Sequence, residues 1–498
     1  MTDLEPEPEL EVAPEPLLAA KAPRRARGAV VVGVRIVAGT VGVAVAALAL
    51  AAAALLPIPR HTVGQPSQVV TPVATAQQRV CAGPLLRLGD KTGAGATVVR
   101  SVGRPAVRSA QTDGKAEASE LAATDNTSGL APQVLTLPAG SSSSGRPLLA
   151  GSQSQSANFE DLVGFASAEC SEASSDSWLV GGATSTGRTS LLTLSNPSAV
   201  VATVTLSIYA ETGVVSAAGT DGIVVPAGSQ RVFSLAGFAP NIASPVVHVQ
   251  SRGGQVVANL QQSTVRTLEP GGLDIVGAAS APSTSNLIPG IVVANSDAVV
   301  ARQGEPGFSD LGSVIRVFVP GTIAAKARIS VVPENGTTGA TSVALSVPAG
   351  LVTDVPLDTL PDGSYTVTVS SDAPLVAGAR VSTVGATGQS DFAWVAAAEP
   401  LRDHALVAIA PGPSPLLHLA NPTTRAATVT IRVKGEAEAT VTVPAGQTVS
   451  RPVTASVDYT IGGFNTLAIA VSYAGDAQVG AYTVSASAPA SQPLRIYP

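Results

Sequence analysis

The residues with the most chemistry to offer are four histidines, His61, His248, His404 and His418, two cysteines and two tryptophans. A hydrolytic zinc site needs two His on one helix face with an acid beside them, and no His-Glu-x-x-His occurs. No two His stand at metal spacing, so neither a metal nor any other cofactor is expected. His248 alternates out of phase with Val247 and Val249 and reads as solvent-facing. No Gly-x-Ser-x-Gly elbow marks a nucleophile, so a Ser/His/acid site would have to be assembled from distant loops. Asp354, Asp358 and Asp362 do not match a calcium loop and read as turn acids. Trp178 and Trp394 fall in two similar phrases, "DSWLVGGA" and "DFAWVAAA", and read as core anchors rather than sugar platforms.

Cys81 and Cys170 form an even pair with no C-x-x-C redox spacing. In an oxidising compartment such a pair favours a disulfide over two free thiols. Closing a loop of about 90 residues contributes roughly 4–5 kcal/mol in the chain-entropy picture.

Composition narrows the classes further. The chain has 498 residues, 45% hydrophobic but only 3% aromatic and 13% charged, with 48 Gly and 38 Pro. Ala, Val, Leu, Ser and Thr between turn residues suit many short strands. Net charge is -6, with no basic stripe to neutralise phosphates, which excludes a nucleic-acid binder.

Residues 36–58, "IVAGTVGVAVAALALAAAALLPI", carry no charge and are long enough as a helix to cross a hydrocarbon core of about 30 Å. Lys21, Arg24, Arg25, Arg27 and Arg35 precede the run, while Arg60 and His61 follow it. This bias predicts a single-pass anchor with a cytoplasmic N-terminus and an extracytoplasmic bulk. A cleaved signal peptide is the competing reading, although its apolar core is usually shorter. The Glu-Pro tail before the anchor cannot build a core and reads as disordered.

Two stretches repeat. "LSNPSAVVATVTLSI" begins at Leu194 and "LANPTTRAATVTIRV" at Leu419. In both, period-two alternation marks a half-buried strand, and Asn196-Pro197 or Asn421-Pro422 sets the turn before it. A weaker copy, "VFVPGTIAAKARISV", has Val319 in place of the Asn. "VPAG" recurs at 225–228, 347–350 and 443–446, followed each time by what reads as a strand pair. "VVHVQSRGGQVVANLQQ", for example, reads as a hairpin turning at Arg252-Gly253-Gly254.

The resulting expectation is all-β: a disordered tail (1–27), an anchor (28–58), a stalk (59–76) and four modules at 77–183, 184–280, 281–398 and 399–498. The modules are expected to be tandem immunoglobulin- or fibronectin-like antiparallel sandwiches, with a β-propeller as the alternative.

The stretch "AECSEASSDSWLVGGATSTGRTSLLTLSNPSAVVATVTLSIY" resembles an uncharacterised family of actinobacterial, membrane-anchored secreted proteins, a domain of unknown function. The resemblance implies one N-terminal anchor, a Cys pair and β-rich repeats. It implies no activity and no catalytic residues. The expected function is therefore a non-enzymatic structural or interaction protein of the cell envelope, contacting the membrane and an envelope protein or glycan. The alternatives are an accessory subunit of an envelope glycan-assembly or export complex, and a hydrolase with a scattered site.

Overall fold

A computed structural model describes residues 39–48, 68–70, 76–89, 98–126, 128–139, 147–336, 339–357, 359–486 and 494–496. Residues 39–48 of the apolar run are helical and exposed. Among the described residues no helix is long and apolar enough to cross a membrane. The tail and the rest of the apolar run lie outside the described residues, as does most of the stalk. Val70–Leu494 forms one compact body.

That body is built almost wholly from antiparallel strands, and its plan follows from four of them. Val163–Glu169, Glu269–Val276, Ser390–Ala396 and Gln478–Thr483 pack one against the next in a closed ring. Each is the inner strand of a small sheet, so the four sheets radiate like blades from one axis. The first blade is Ala106–Gln111, Leu149–Asn158 and Val163–Glu169. In the second, Ser229–Ser234, Arg188–Asn196 and Val257–Arg266 lead inward to Glu269–Val276. The third and fourth repeat that order.

Tandem sandwiches are thus not what this chain builds. It forms a four-bladed, propeller-like arrangement, and the last three blades each carry a second, curled sheet. Two long strands make the difference. Gly363–Val384 runs for 22 residues and Asp458–Gly475 for 18. Residues 365–371 of the first pair with Ala325–Pro333 in the curled sheet. Residues 376–380 of the same strand pair with Val314–Phe318 in the blade. A strand shared by both sheets joins them at a corner, whereas sandwich layers stack as separate sheets about 10 Å apart. Strand-by-strand alternation is the same in both arrangements, which is why the periodicity did not separate them.

The expected hairpin at Arg252-Gly253-Gly254 is corrected for the same reason. Val246–Gly253 pairs with Ala202–Ala210 and Asp176–Val180, while Val257–Arg266 pairs with Arg188–Asn196 and Glu269–Val276. The two strands do not pair with each other. The glycines mark a crossing between sheets, where a Cβ on Gly253 would lie 2.6 Å from the Val201 carbonyl oxygen. The third and fourth blades make the same crossing without a break.

The repeated phrases meet in space. The Asn196 side chain donates to the carbonyls of Val200 (2.8 Å) and Val225 (3.1 Å) and accepts from the Ser198 amide at 3.0 Å. Asn421 makes the same set with Arg425 (2.7 Å), Val443 (3.1 Å) and Thr423 (3.0 Å). Val225 and Val443 open the "VPAG" phrases, so each buried Asn ties the Asn-Pro turn to its own repeat partner. In the third copy Val319 is buried and the tie is made by backbone alone, the Gly350 amide donating to the Val319 carbonyl at 3.0 Å.

Candidate functional site at the propeller axis

The axis is narrow because its residues are small. Gly164 (φ +143°) and Gly272 (φ +107°) both lie against Asp391, where a Cβ would come within 2.4 and 2.8 Å of it. This close approach lets one carboxylate reach every blade. Asp391 Oδ2 accepts the amides of Phe165 at 3.0 Å and Val479 at 3.2 Å, and Oδ1 accepts that of Leu273 at 3.1 Å. The Phe392 amide of its own strand also donates. Inner strands present unpaired edge N–H groups toward the axis, and Asp391 satisfies one from each. Burial pushes its pKa well above the usual carboxylate range, against the pull of the four amides.

Further along the axis, Asp274 Oδ2 accepts the Trp394 amide at 2.7 Å, and the Trp394 indole donates to Gln262 at 2.8 Å. Burial raises Asp274 to about 8 against the pull of the Trp394 and Ile275 amides, so the carboxyl is protonated at neutral pH. Trp394 also lies beneath the Arg316 guanidinium, 4.6 Å from its ring centre. Arg316 is itself buried and bonded to both oxygens of Asp354 at 2.8 and 2.9 Å. Trp178 is buried as well, but on a strand of a curled sheet, stacked at 3.9 Å on His248. The two tryptophans therefore do not occupy equivalent places. Asp274 and Asp391 lie on inner strands, and Asp176 does not.

Where the inner strands end, the axis opens into a cavity of about 650 Å3. Its walls are mostly Ala, Ser and Gly, and its charged groups include Arg79, Glu169, Glu172 and Glu399. Arg79 is buried and turned into the wall, donating to Ser485 Oγ at 2.9 Å and to the Ala486 carbonyl. Its approach to Glu172 is a loose 3.5 Å. Glu169 accepts the Ser485 amide at 2.9 Å. Burial raises both Glu169 and Glu172 against the pull of the Arg79 guanidinium, and the nearby Glu399 carboxylate adds to the rise of Glu172. Acids from separate segments thus share one mouth with their charge only partly offset.

The model of a family of unknown function, DUF5719, matches residues 121–454. The chain belongs to that family. The DUF5719 match takes in the first three inner strands, both Asn-Pro turns, Asp274 and Asp391, and leaves Arg79, Cys81 and the fourth inner strand outside it. No curated protein matches the chain. Among solved structures, the BSP domain of a biofilm-associated protein aligns over 87% of this chain and 100% of its own at 8% identity. Its TM-score of 0.11 gives that alignment no bearing on fold or function.

The other expected site residues fall as follows. Cys81 and Cys170 are joined (S–S 2.03 Å) and buried beside Leu135, Leu137 and Leu149, tying the entry of the first stretch to the end of its inner strand. Asp354 holds Arg316, and Asp362 accepts the amides of Asn295 and Ser296 at 3.2 and 2.8 Å. Asp358 lies outside the described residues, as does His61. His404 is exposed. Among the described residues no group of His, Cys, Asp and Glu could hold a metal.

One Ser/His/acid set does exist. His418 Nε2 lies 2.7 Å from Ser472 Oγ, and its Nδ1 lies 2.6 Å from Glu334. The distances are those of a hydrolase triad, but all three residues are buried, with His418 at 0% exposure. Glu334 also accepts from Thr366 at 2.8 Å. The neighbouring Asn335 side chain donates to Ser450 at 2.9 Å. The set therefore works as a polar clasp between the third and fourth blades.

Proposed function

We propose that this chain is a non-enzymatic accessory subunit of a cell-envelope assembly, docking a basic segment of a partner protein at the mouth of its axis. The acidic cavity carries this reading, because Glu172 and Glu399 come from different parts of the chain and face a common space, while Arg79 stands 3.5 Å from Glu172 and donates to Ser485 and the Ala486 carbonyl. The sealed position of Ser472, His418 and Glu334 favours a binding role over hydrolysis. The uncharged run 36–58, with basic residues before it, supports a membrane-anchored, extracytoplasmic setting and a partner in or near the same membrane.

The test is capture from crosslinked membranes by the full-length protein. One stoichiometric protein partner is expected, with capture reduced at least tenfold in a Glu172→Gln/Glu399→Gln variant whose melting temperature is unchanged. Recovery of a polymeric glycan instead, or capture indifferent to both substitutions, would overturn this reading.

A further inference from the structure

The three curled sheets each end in an outer strand, and these edges are not alike. An open edge is a template for another strand, and folds usually guard it with short length, charge or a bulge. The second blade's curled sheet ends in Gly213–Val215 and Ile223–Val225, three residues each. The fourth ends in Ala439–Val443, entered past Glu436 and Glu438, the latter paired with Arg432. The third ends in Thr341–Val347, "TSVALSV", seven residues with no charge and no proline. Its register with Ala325–Pro333 is continuous from Val331↔Thr341 to Ala325↔Val347, without a bulge. Among the described residues it pairs with no other strand.

The sequence of this edge reads nearly alike in both directions. An antiparallel copy centred on Ala344 sets Val343 opposite Leu345, Ser342 opposite Ser346 and Ala344 opposite itself. Val343 and Leu345 lie on the core side of the sheet, in register with Ile329 and Ala327. Leu345 packs at the margin of that core, and Val343 is 39% exposed. A second copy would continue the apolar row, and the edge strand itself brings no charge; on its other face Arg328 of the neighbouring strand donates to Ser342 at 3.4 Å.

We propose that Thr341–Val347 is a self-pairing edge, through which two copies of this chain join by a two-fold axis at Ala344 into one continuous sheet. This interface is separate from the axis mouth and stands whether or not that mouth binds a basic partner.

Both native cysteines are already joined to each other, so Ala344→Cys adds a single thiol. Directly opposed residues of an antiparallel pair have Cα atoms about 4.5–5.5 Å apart, within disulfide range. Mild oxidation of the full-length A344C protein is expected to convert most of it to a disulfide-linked dimer. Ser342→Cys and Ser346→Cys chains should link when mixed and not alone. Val343→Lys should shift the mass by light scattering from two chains to one while leaving the melting temperature intact. The proposal fails if A344C stays single after oxidation, if S342C links to itself, or if A344C in cells links to a different protein instead of its own copy.

Discussion

Two buried polar sites hold the blades together in different ways. At the axis, Asp391 is surrounded by backbone amides, one from each inner strand. Between the third and fourth blades, Glu334 is held chiefly by side chains, His418 at 2.6 Å and Thr366 at 2.8 Å, with the Gly290 amide farther off at 3.4 Å. The electrostatic consequence is opposite. Burial raises Asp391; burial also pushes Glu334 up, but the His418 imidazole together with the Thr366 and Ser450 hydroxyls outweighs it and leaves Glu334 lowered. Backbone dipoles close a ring but do not supply a counter-charge. A side-chain pair ties two blades through one contact, at the cost of needing both residues together.

Removing the amide acceptor is the strongest way to break this comparison. Asp391→Ala leaves the Phe165, Leu273 and Val479 amides buried without an acceptor. At about 1–3 kcal/mol for each of these three orphaned donors, the loss should be roughly 3–9 kcal/mol in urea unfolding. Asp391→Asn keeps one acceptor oxygen and should lose less. Equal losses in the two variants would show that the carboxylate is not the common acceptor.

His418→Leu should come next, at about 3–5 kcal/mol, because it removes the imidazole from the buried Glu334 carboxylate. The loss should shrink sharply when Glu334→Leu is added. Additive effects in that double-mutant cycle would deny the clasp. Since Glu334 is lowered in the folded state, its contribution is present above the ordinary glutamate range and disappears as pH falls through the depressed value.

Asp274 sharpens the contrast with a pH dependence of opposite sign. Its folded value of about 8 lies above an unfolded value near 4, so the folded state holds the proton more tightly. That contribution is complete at low pH and is lost as pH rises toward 8. Asp274→Asn should therefore melt higher than the parent at pH 8.5 and close to it at pH 4. A constant offset across that range would mean that Asp274 does not titrate with folding.

Much of this was readable in order along the chain. Alternation at Val204, Leu206 and Ile208 gave strands, and Asn196-Pro197 and Asn421-Pro422 gave the repeat. Asp391 was visible as the start of a recurring phrase, but Asp176 carried the same signal and lies elsewhere. Glu169 and Glu172 flank Cys170 in "AECSE", yet nothing local distinguishes them from surface acids. Glu334 follows an apolar strand as an isolated acid, which is the local cue to a buried clasp. Ser472 left none among so many serines.

What the sequence determined by itself was the set of strands, the spacing of their turns and the pairing of two cysteines, because these depend on side-chain alternation, local backbone preference and an even thiol count. Which sheet each strand joins was decided by tertiary structure. A strand with alternating Val and Thr fits a sandwich face or a blade equally well, and the choice rests on long-range contacts: glycines that admit Asp391 to the axis, and long strands that turn a corner instead of ending. The same contacts gathered Arg79, Glu169, Glu172 and Glu399 around one opening, since convergence of side chains so far apart in sequence is a property of the closed ring of blades.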